Sequence, residues 1–232
     1  MSLHPVTDHA FRPHLIGEVR DDRPLIVAAV EQEAARLDGR FPLLVTGMGK
    51  VNAAAALALT LAGGERPREI INLGTAGALK EVPPGVHEVS RVVQHDLDTA
   101  VLHGISGRVY GAPLTVSAGH GPTLATGDTF VTDSAVRDRL ALEADLVDME
   151  GYAVATVAQH LGIPVRLVKF VSDSADEDAS TTWPEALDHA ARILADWVGK
   201  HVAAPRAPRR LPRRTRTSVT FTVHPLSAPH AA

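Results

Sequence analysis

The sequence predicts an α/β domain whose largely parallel sheet lies between layers of helices. Three observations carry that expectation. Apolar runs of strand length alternate with helix-length segments from Arg23 to about Lys200, the segments after Glu150 and Trp183 space their apolar residues three and four apart, and the candidate site residues Glu33, Thr75 and Asp173 lie just past three different strands.

The elements follow in order. Pro24 to Val30 is a short apolar strand, and a helix runs through Ala34, Ala35 and Leu37. Phe41 to Thr46 is a second strand ending in GMGK, after which Val51 to Leu61 forms an alanine-rich helix. Glu69 to Leu73 is a strand that enters GTAGAL, His87 to Gln94 another, and Pro113 to Val116 a shorter one before the turn-rich ATGDTFVTDS. After Glu150, the residues Ala153, Val154, Val157, Ala158 and Leu161 recur at helical spacing, which puts Glu150 itself on the inward face. Gly162 and Pro164 stop that helix. Val165 to Val171 reads as a buried strand ending in Ser172 and Asp173, and Trp183 to His201 as a terminal amphipathic helix.

Composition sets the outer bounds. With 232 residues, 45% hydrophobic and 22% charged, the chain can bury one sizeable core. Cysteine is absent, which excludes disulfides, thiolate zinc sites and a cysteine nucleophile and fits a reducing compartment. The first residues lack the apolar core of a secretory signal, and no run reaches the roughly 18 apolar residues of a membrane span, so a soluble, cytoplasmic protein is expected. Residues 1–22 are expected to be a flexible N-terminal extension, 23–201 the domain, and 202–232 a disordered Pro/Arg-rich tail in which Val219 to Val223 alternates like an edge strand. From His201 onward there are six arginines and no acid, so of the net −4 the preceding chain carries −10. An acidic body argues against nucleic-acid binding, leaving only the tail as a basic arm or a solvated extension.

Two carboxylates sit where an ordinary core would not place them. Glu150 lies on an apolar helix face, where it needs either the helix N-terminus or ligand hydroxyls as a partner. Asp173 lies at the carboxyl end of a strand, where open α/β sheets bind ligands. Taken singly, each is more often a cap or a turn former. Glu33 and Thr75 also lie just past strands, and parallel strands would bring all of these residues to one rim of the sheet.

Several familiar motifs fail. Around Gly47, Gly49 and Lys50 a phosphate loop would need glycine at Leu44 and Ser or Thr at Val51, and a dinucleotide fingerprint would need glycine at Asn52. The glycines read instead as a tight turn that allows close approach to a ligand. His87, His95, His103 and His120 lack metal-ligand spacing, and Ser172 has no nucleophile elbow, so neither a metal, a cofactor nor a covalent nucleophile is expected.

The segments AVEQEAARL, TGMGKVNAAAAL, INLGTAGAL, TGDTFV, VDMEGYAVATVA and VSDSAD, in this order, resemble the purine nucleosidase branch of the nucleoside phosphorylase superfamily, over about Arg23 to His201. Within that branch they are most similar to the enzymes acting on 5′-methylthioadenosine and S-adenosylhomocysteine. The resemblance implies a phosphorylase/hydrolase-like three-layer sandwich with a twisted, mixed, largely parallel sheet, and hydrolysis of the N-ribosidic bond of a purine nucleoside. It further implies a cytoplasmic homodimer, no cofactor and a place in methionine salvage. By position, Asp173 matches the acid that protonates the base, and Glu33 the carboxylate that activates water. Glu150, preceded by Met149, matches the holder of the ribose hydroxyls. Thr75 replaces a serine near sugar and water, Phe130 stacks on the base, and Val131 lies where backbone groups read its edge. Trp183 stands where a phenylalanine covers the 5′ substituent, and Met48 occupies an aliphatic place in the glycine turn.

The residue types suit that chemistry independently. Cleaving an N-ribosidic bond builds an oxocarbenium-like sugar and a poor leaving group, so a site needs negative charge near the sugar and an acid beside the base. Departures from the family pattern bear on the details. Asn72 stands where phosphorylases carry a phosphate-binding arginine, which favours water as nucleophile; Gln32 interrupts the run of acids and leaves Glu31 as a second candidate base. Lys169 replaces a common arginine, and the stretch from His95 to Ala125 is short. Futalosine hydrolysis, phosphorolysis and a non-catalytic nucleoside-binding module are the alternative readings.

Overall fold

The computed structural model of the chain describes residues 11–117 and 119–203. The strand expected at 219–223 and the rest of the basic tail lie outside the described residues. Strands β1 (His14–Ile16) and β2 (Leu25–Ala28) precede a single-turn helix α1 (Glu31–Ala34), and β3 (Leu43–Val45) precedes α2 (Lys50–Leu61). The long β4 (Ile70–Ala78) is followed by β5 (Val86–Glu88), β6 (Arg91–Gln94), α3 (Thr99–Ser106), β7 (Leu114–Thr115) and β8 (Thr123–Thr126). Helix α4 (Ser134–Leu140), β9 (Leu146–Asp148), α5 (Gly151–Leu161), β10 (Val165–Asp173) and α6 (Ala179–His201) complete the chain.

The sheet is mixed. Parallel ladders join β3 to β2, β2 to β4, β4 to β10, β9 to β8 and β8 to β6. The short marginal strands β1, β5 and β7 pair antiparallel, as does β9 with β4. Alternate residues of the central strands bury into opposite layers. Leu25, Val27, Ile70 and Leu167 meet Ala53, Leu57, Val154 and Ala158 of α2 and α5. Ile26, Ile71, Leu73, Val168 and Phe170 meet Ala190, Leu194 and Val198 of α6. Strands buried on both faces read as continuous apolar runs, which is why β2, β4 and β10 are visible in the sequence.

Three expectations are corrected. Residues 11–22 are not a free extension, because His14–Ile16 pairs with Leu43–Val45 and Val19 is buried. His87 to Gln94 is not one strand: β5 pairs with β10, whereas β6 pairs with β7 and β8. The terminal helix begins at Ala179, four residues before Trp183, so Pro184 lies inside it rather than in its first turn.

Topology makes a fork along one edge of β4. On the edge away from β10, β4 pairs with β2 as far as Asn72 and with β9 from Gly77 onward. Between these two ladders neither strand pairs with Leu73 to Ala76. A buried ion pair spans β4: Lys169 Nζ on β10 lies 2.7 Å from Asp148 Oδ2 on β9, with β4 between the strands. Both side chains are almost wholly buried.

Removing one partner of such a pair leaves an uncompensated charge inside the protein. Lys169→Met is therefore expected to cost about 3–5 kcal/mol of unfolding free energy, measured by urea denaturation. Leu59→Ala, at a side chain exposed on α2, serves as the comparison and is expected to change stability by less than about 0.5 kcal/mol.

Candidate active site

The fork in β4 is the floor of a pocket that brings together all nine residues singled out from the sequence. Glu33 enters from α1 just past β2, Thr75 from β4, and Met149 and Glu150 from the end of β9; Asp173 ends β10. Met48 lies in the turn after β3, Phe130 and Val131 follow β8, and Trp183 reaches in from α6. The carboxyl ends of separate strands thus meet at the position where α/β sheets accommodate ligands.

Glu33 satisfies the gap in the ladder. Its Oε1 accepts from the Thr75 backbone N–H at 2.7 Å and from the Thr75 hydroxyl at 2.9 Å, and its Oε2 accepts from the Ala29 N–H at 3.2 Å. Three donors hold a carboxylate that is almost fully buried. Glu31, the other candidate from the same segment, is exposed beside His14 and does not line the pocket. Gly74 leaves room for this arrangement, since a Cβ there would come within 3.0 Å of Glu33 Oε1.

Glu150 is the N-cap residue of α5, but its side chain does not cap that helix. Asp148 does so instead, accepting the Gly151 N–H at 2.8 Å on Oδ2 and the Thr126 hydroxyl at 2.6 Å on Oδ1. Released from capping, Glu150 Oε1 accepts the Gly49 N–H at 2.7 Å across the pocket. Gly47 and Gly49 adopt φ of 82° and 96°, which only glycine holds without strain, so the GMGK turn serves to present that N–H. Burial, with the Asp148 charge adding to it, pushes the Glu150 carboxyl up to about 8, while Lys169 and the Gly49 N–H pull the other way. Lys169 is driven down by burial, but Asp148 and Glu150 outweigh this and hold it above the ordinary lysine value.

Asp173 is oriented at both oxygens. Ser172 Oγ donates to Oδ2 at 2.8 Å and the Ala175 N–H to Oδ1 at 2.9 Å, with Ala175 at a positive φ of 48°. Gly77 makes space for it, because a Cβ there would come within 2.9 Å of Asp173 Oδ1. At the open side, Phe130 and Trp183 meet edge to face with centroids 6.1 Å apart, and Met48 is half exposed.

Sequence reasoning missed Asp148 and the use of Lys169. A lysine in the middle of VRLVKFVSD was the available signal, since a buried ammonium demands a carboxylate. Among the described residues no cluster of His, Asp and Glu is placed to hold a metal, and no helix is long and apolar enough to cross a membrane.

Comparison with known proteins agrees with this architecture. The family model described as phosphorylase superfamily matches residues 16–199. The 5′-methylthioadenosine/S-adenosylhomocysteine nucleosidase of Geobacillus thermodenitrificans is 30% identical over 79% of this chain and 88% of its own length. The crystal structure of an S-adenosylhomocysteine nucleosidase from Streptococcus pyogenes in complex with 5-methylthiotubericidin superposes with a TM-score of 0.63 at 26% identity, covering 78% of this chain and 94% of that one. A futalosine hydrolase of Helicobacter pylori shares the fold with a TM-score of 0.64 at 22% identity, over 78% of this chain and 96% of its own. With the matched residues spanning strands β2 to β10 and every strand end that lines the pocket, the chain belongs to the phosphorylase superfamily.

Proposed function

We propose that the pocket hydrolyses the N-ribosidic bond of a purine nucleoside, with 5′-methylthioadenosine or S-adenosylhomocysteine as the first-choice substrates. One observation carries this reading: Glu33, Glu150 and Asp173 converge on a single pocket whose far side is aromatic. In it, Glu150 accepts the ribose hydroxyls and Asp173 delivers a proton to the departing base. Glu33 takes a proton from the attacking water, so the sugar gains OH and the base leaves neutral. Phe130 and the backbone near Val131 hold the purine, Met149 packs beside the sugar, and Trp183 with Met48 lines the 5′ end. Negative charge around the sugar favours an oxocarbenium-like transition state.

Water is favoured over phosphate as nucleophile. Among the described residues no arginine or lysine lines the pocket, and buried Asn72 donates its amide to the Val27 carbonyl rather than to the cavity. Futalosine hydrolysis remains the second reading, supported by the shared fold with the Helicobacter pylori enzyme. A homodimer is part of the proposal: α2 and α3 expose the apolar side chains of Val51, Val101 and Ile105, and Lys50 at the start of α2 pairs with Asp96 in the segment that leads into α3. A cytoplasmic role in methionine salvage is the corresponding setting.

Three measurements bear on this reading. Asp173→Asn is expected to lower turnover on the order of 100-fold or more, the scale of acid catalysis, while a substrate analogue still binds; near-normal turnover would remove Asp173 from that role.

Incubation with a nucleoside panel, followed by chromatography, is expected to release free base and free sugar in phosphate-free buffer. A sugar 1-phosphate, formed only when phosphate is supplied, would make the enzyme a phosphorylase.

Glu150 sets the third. With its carboxyl raised to about 8, the folded protein keeps a proton that the unfolded chain releases near the ordinary 4.5. The stabilisation is complete below the unfolded value and is lost as pH rises through about 8. Between pH 6.5 and 8 the loss amounts to about 2 kcal/mol. Glu150→Gln is expected to abolish that part of the pH dependence in urea unfolding. The anion accepts hydroxyls, so affinity for a nucleoside analogue should rise over the same interval in the wild type alone. Identical pH profiles in the two proteins would contradict the assignment.

A further inference from the structure

We propose that Trp183 is a positioning residue whose indole N–H sets the direction of the Thr75 hydroxyl and, through it, leaves one defined oxygen of Glu33 free to take a proton. This deepens the nucleosidase reading and rests on it.

The geometry is a directed chain. Trp183 Nε1 donates to Thr75 Oγ1 at 2.8 Å, and Thr75 Oγ1 donates to Glu33 Oε1 at 2.9 Å. An indole N–H can only donate, an ionised carboxylate can only accept, and a hydroxyl does both. Only one orientation of the Thr75 proton is therefore compatible with its two neighbours. Oε1 then receives two donors, the Thr75 hydroxyl and the Thr75 backbone N–H, whereas Oε2 receives only the Ala29 N–H. The oxygen with capacity left for a water proton is Oε2.

Trp183 is well placed for this task. It comes from α6, which packs on the sheet face that carries Ile71 and Leu73 of β4, and Phe130 meets its ring edge to face. A phenylalanine at this position would fill the same apolar wall and supply no donor. The Thr75 hydroxyl would then be free to turn toward other acceptors, and Glu33 would lose a fixed partner. Using the N–H inward also leaves Trp183 with only apolar surface for the ligand, so wall and tether belong to one side chain.

The chain has two tryptophans, which makes the bond directly observable. In a nitrogen-15 spectrum of the ligand-free protein, Trp197→Phe identifies the Trp183 indole signal. That proton is expected to exchange slowly with solvent. Thr75→Val should shift the signal and accelerate exchange about tenfold, the scale of one neutral hydrogen bond, and Thr75→Ser should restore it. An unmoved signal in Thr75→Val overturns the proposal whether or not any nucleoside is a substrate.

The kinetic arm uses the best substrate of the wild type. Trp183→Phe is expected to lower kcat about tenfold with KM changed less than about twofold. Its double mutant with Thr75→Val should be no slower than Thr75→Val alone, because both changes remove one chain. Additive losses, or a loss confined to KM, would reduce Trp183 to a wall and refute the positioning role. If the wild type cleaves no nucleoside at all, the functional reading fails, while the indole exchange still decides the hydrogen bond.

Discussion

The ion pair between Lys169 and Asp148 is the interaction on which the arrangement of the pocket depends. It links strands on either side of β4, and Asp148 carries three donors at once: the Lys169 ammonium, the Thr126 hydroxyl and the Gly151 N–H. Because Asp148 serves the N-terminus of α5, Glu150 is free to turn outward to Gly49. A carboxylate at the start of a helix would otherwise satisfy the orphan N–H groups of that helix. The DME sequence thus divides two tasks between two acids, one structural and one facing the cavity. Electrostatics follow from the same division. The positive charge of Lys169 is matched by Asp148, so Glu150 meets burial and a neighbouring anion with only partial compensation.

Strand β4 contributes mostly by what it lacks. Glycines at 74 and 77 bring its backbone within reach of Glu33 and Asp173, where any Cβ would crowd the carboxylate oxygens. The break in pairing between Asn72 and Gly77 frees the Thr75 N–H for Glu33. An unpaired edge group in the interior must find a partner, and here it finds the carboxylate. The GTAG segment therefore combines a missing ladder, small residues and a hydroxyl, and each of them serves an acid from another element.

The long apolar runs were legible because burial on both faces marks the strand: β2, β10 and the first half of β4 were found, as were α2 from its alanine-rich composition and α5 from its spacing. Elements whose stability comes from tertiary context were not. Strand β1 has three residues and an exposed Leu15 and Ile16, and it exists because β3 offers an edge. Helices α3 and α4 bury no residue fully and are set by the caps Asp98 and Asp133, a signal lost among other turn formers. The nine pocket residues were legible through the family resemblance and the positions of carboxylates after strands. The Lys169–Asp148 bond and the Trp183–Thr75 bond were not, since sequence spacing does not show which side chains meet across 21 and 108 positions.

Charge distribution links these features to chemistry. The cavity gathers Glu33, Glu150 and Asp173, and the Lys169 ammonium lies behind the wall on Asp148 rather than in the opening. An anionic nucleophile entering such a space would meet the Glu33 carboxylate and, among the described residues, no cationic lining, whereas a sugar acquiring positive character would be stabilised by that carboxylate. Water carries no charge and gives up a proton on attack, which requires an acceptor already held in place; Glu33 has three donors fixing it and one oxygen less occupied. On the proposed reading, the same absence of cationic lining among the described residues that disfavours phosphate is what lets the carboxylates act on the sugar, so selection of nucleophile and stabilisation of the transition state arise from one electrostatic arrangement.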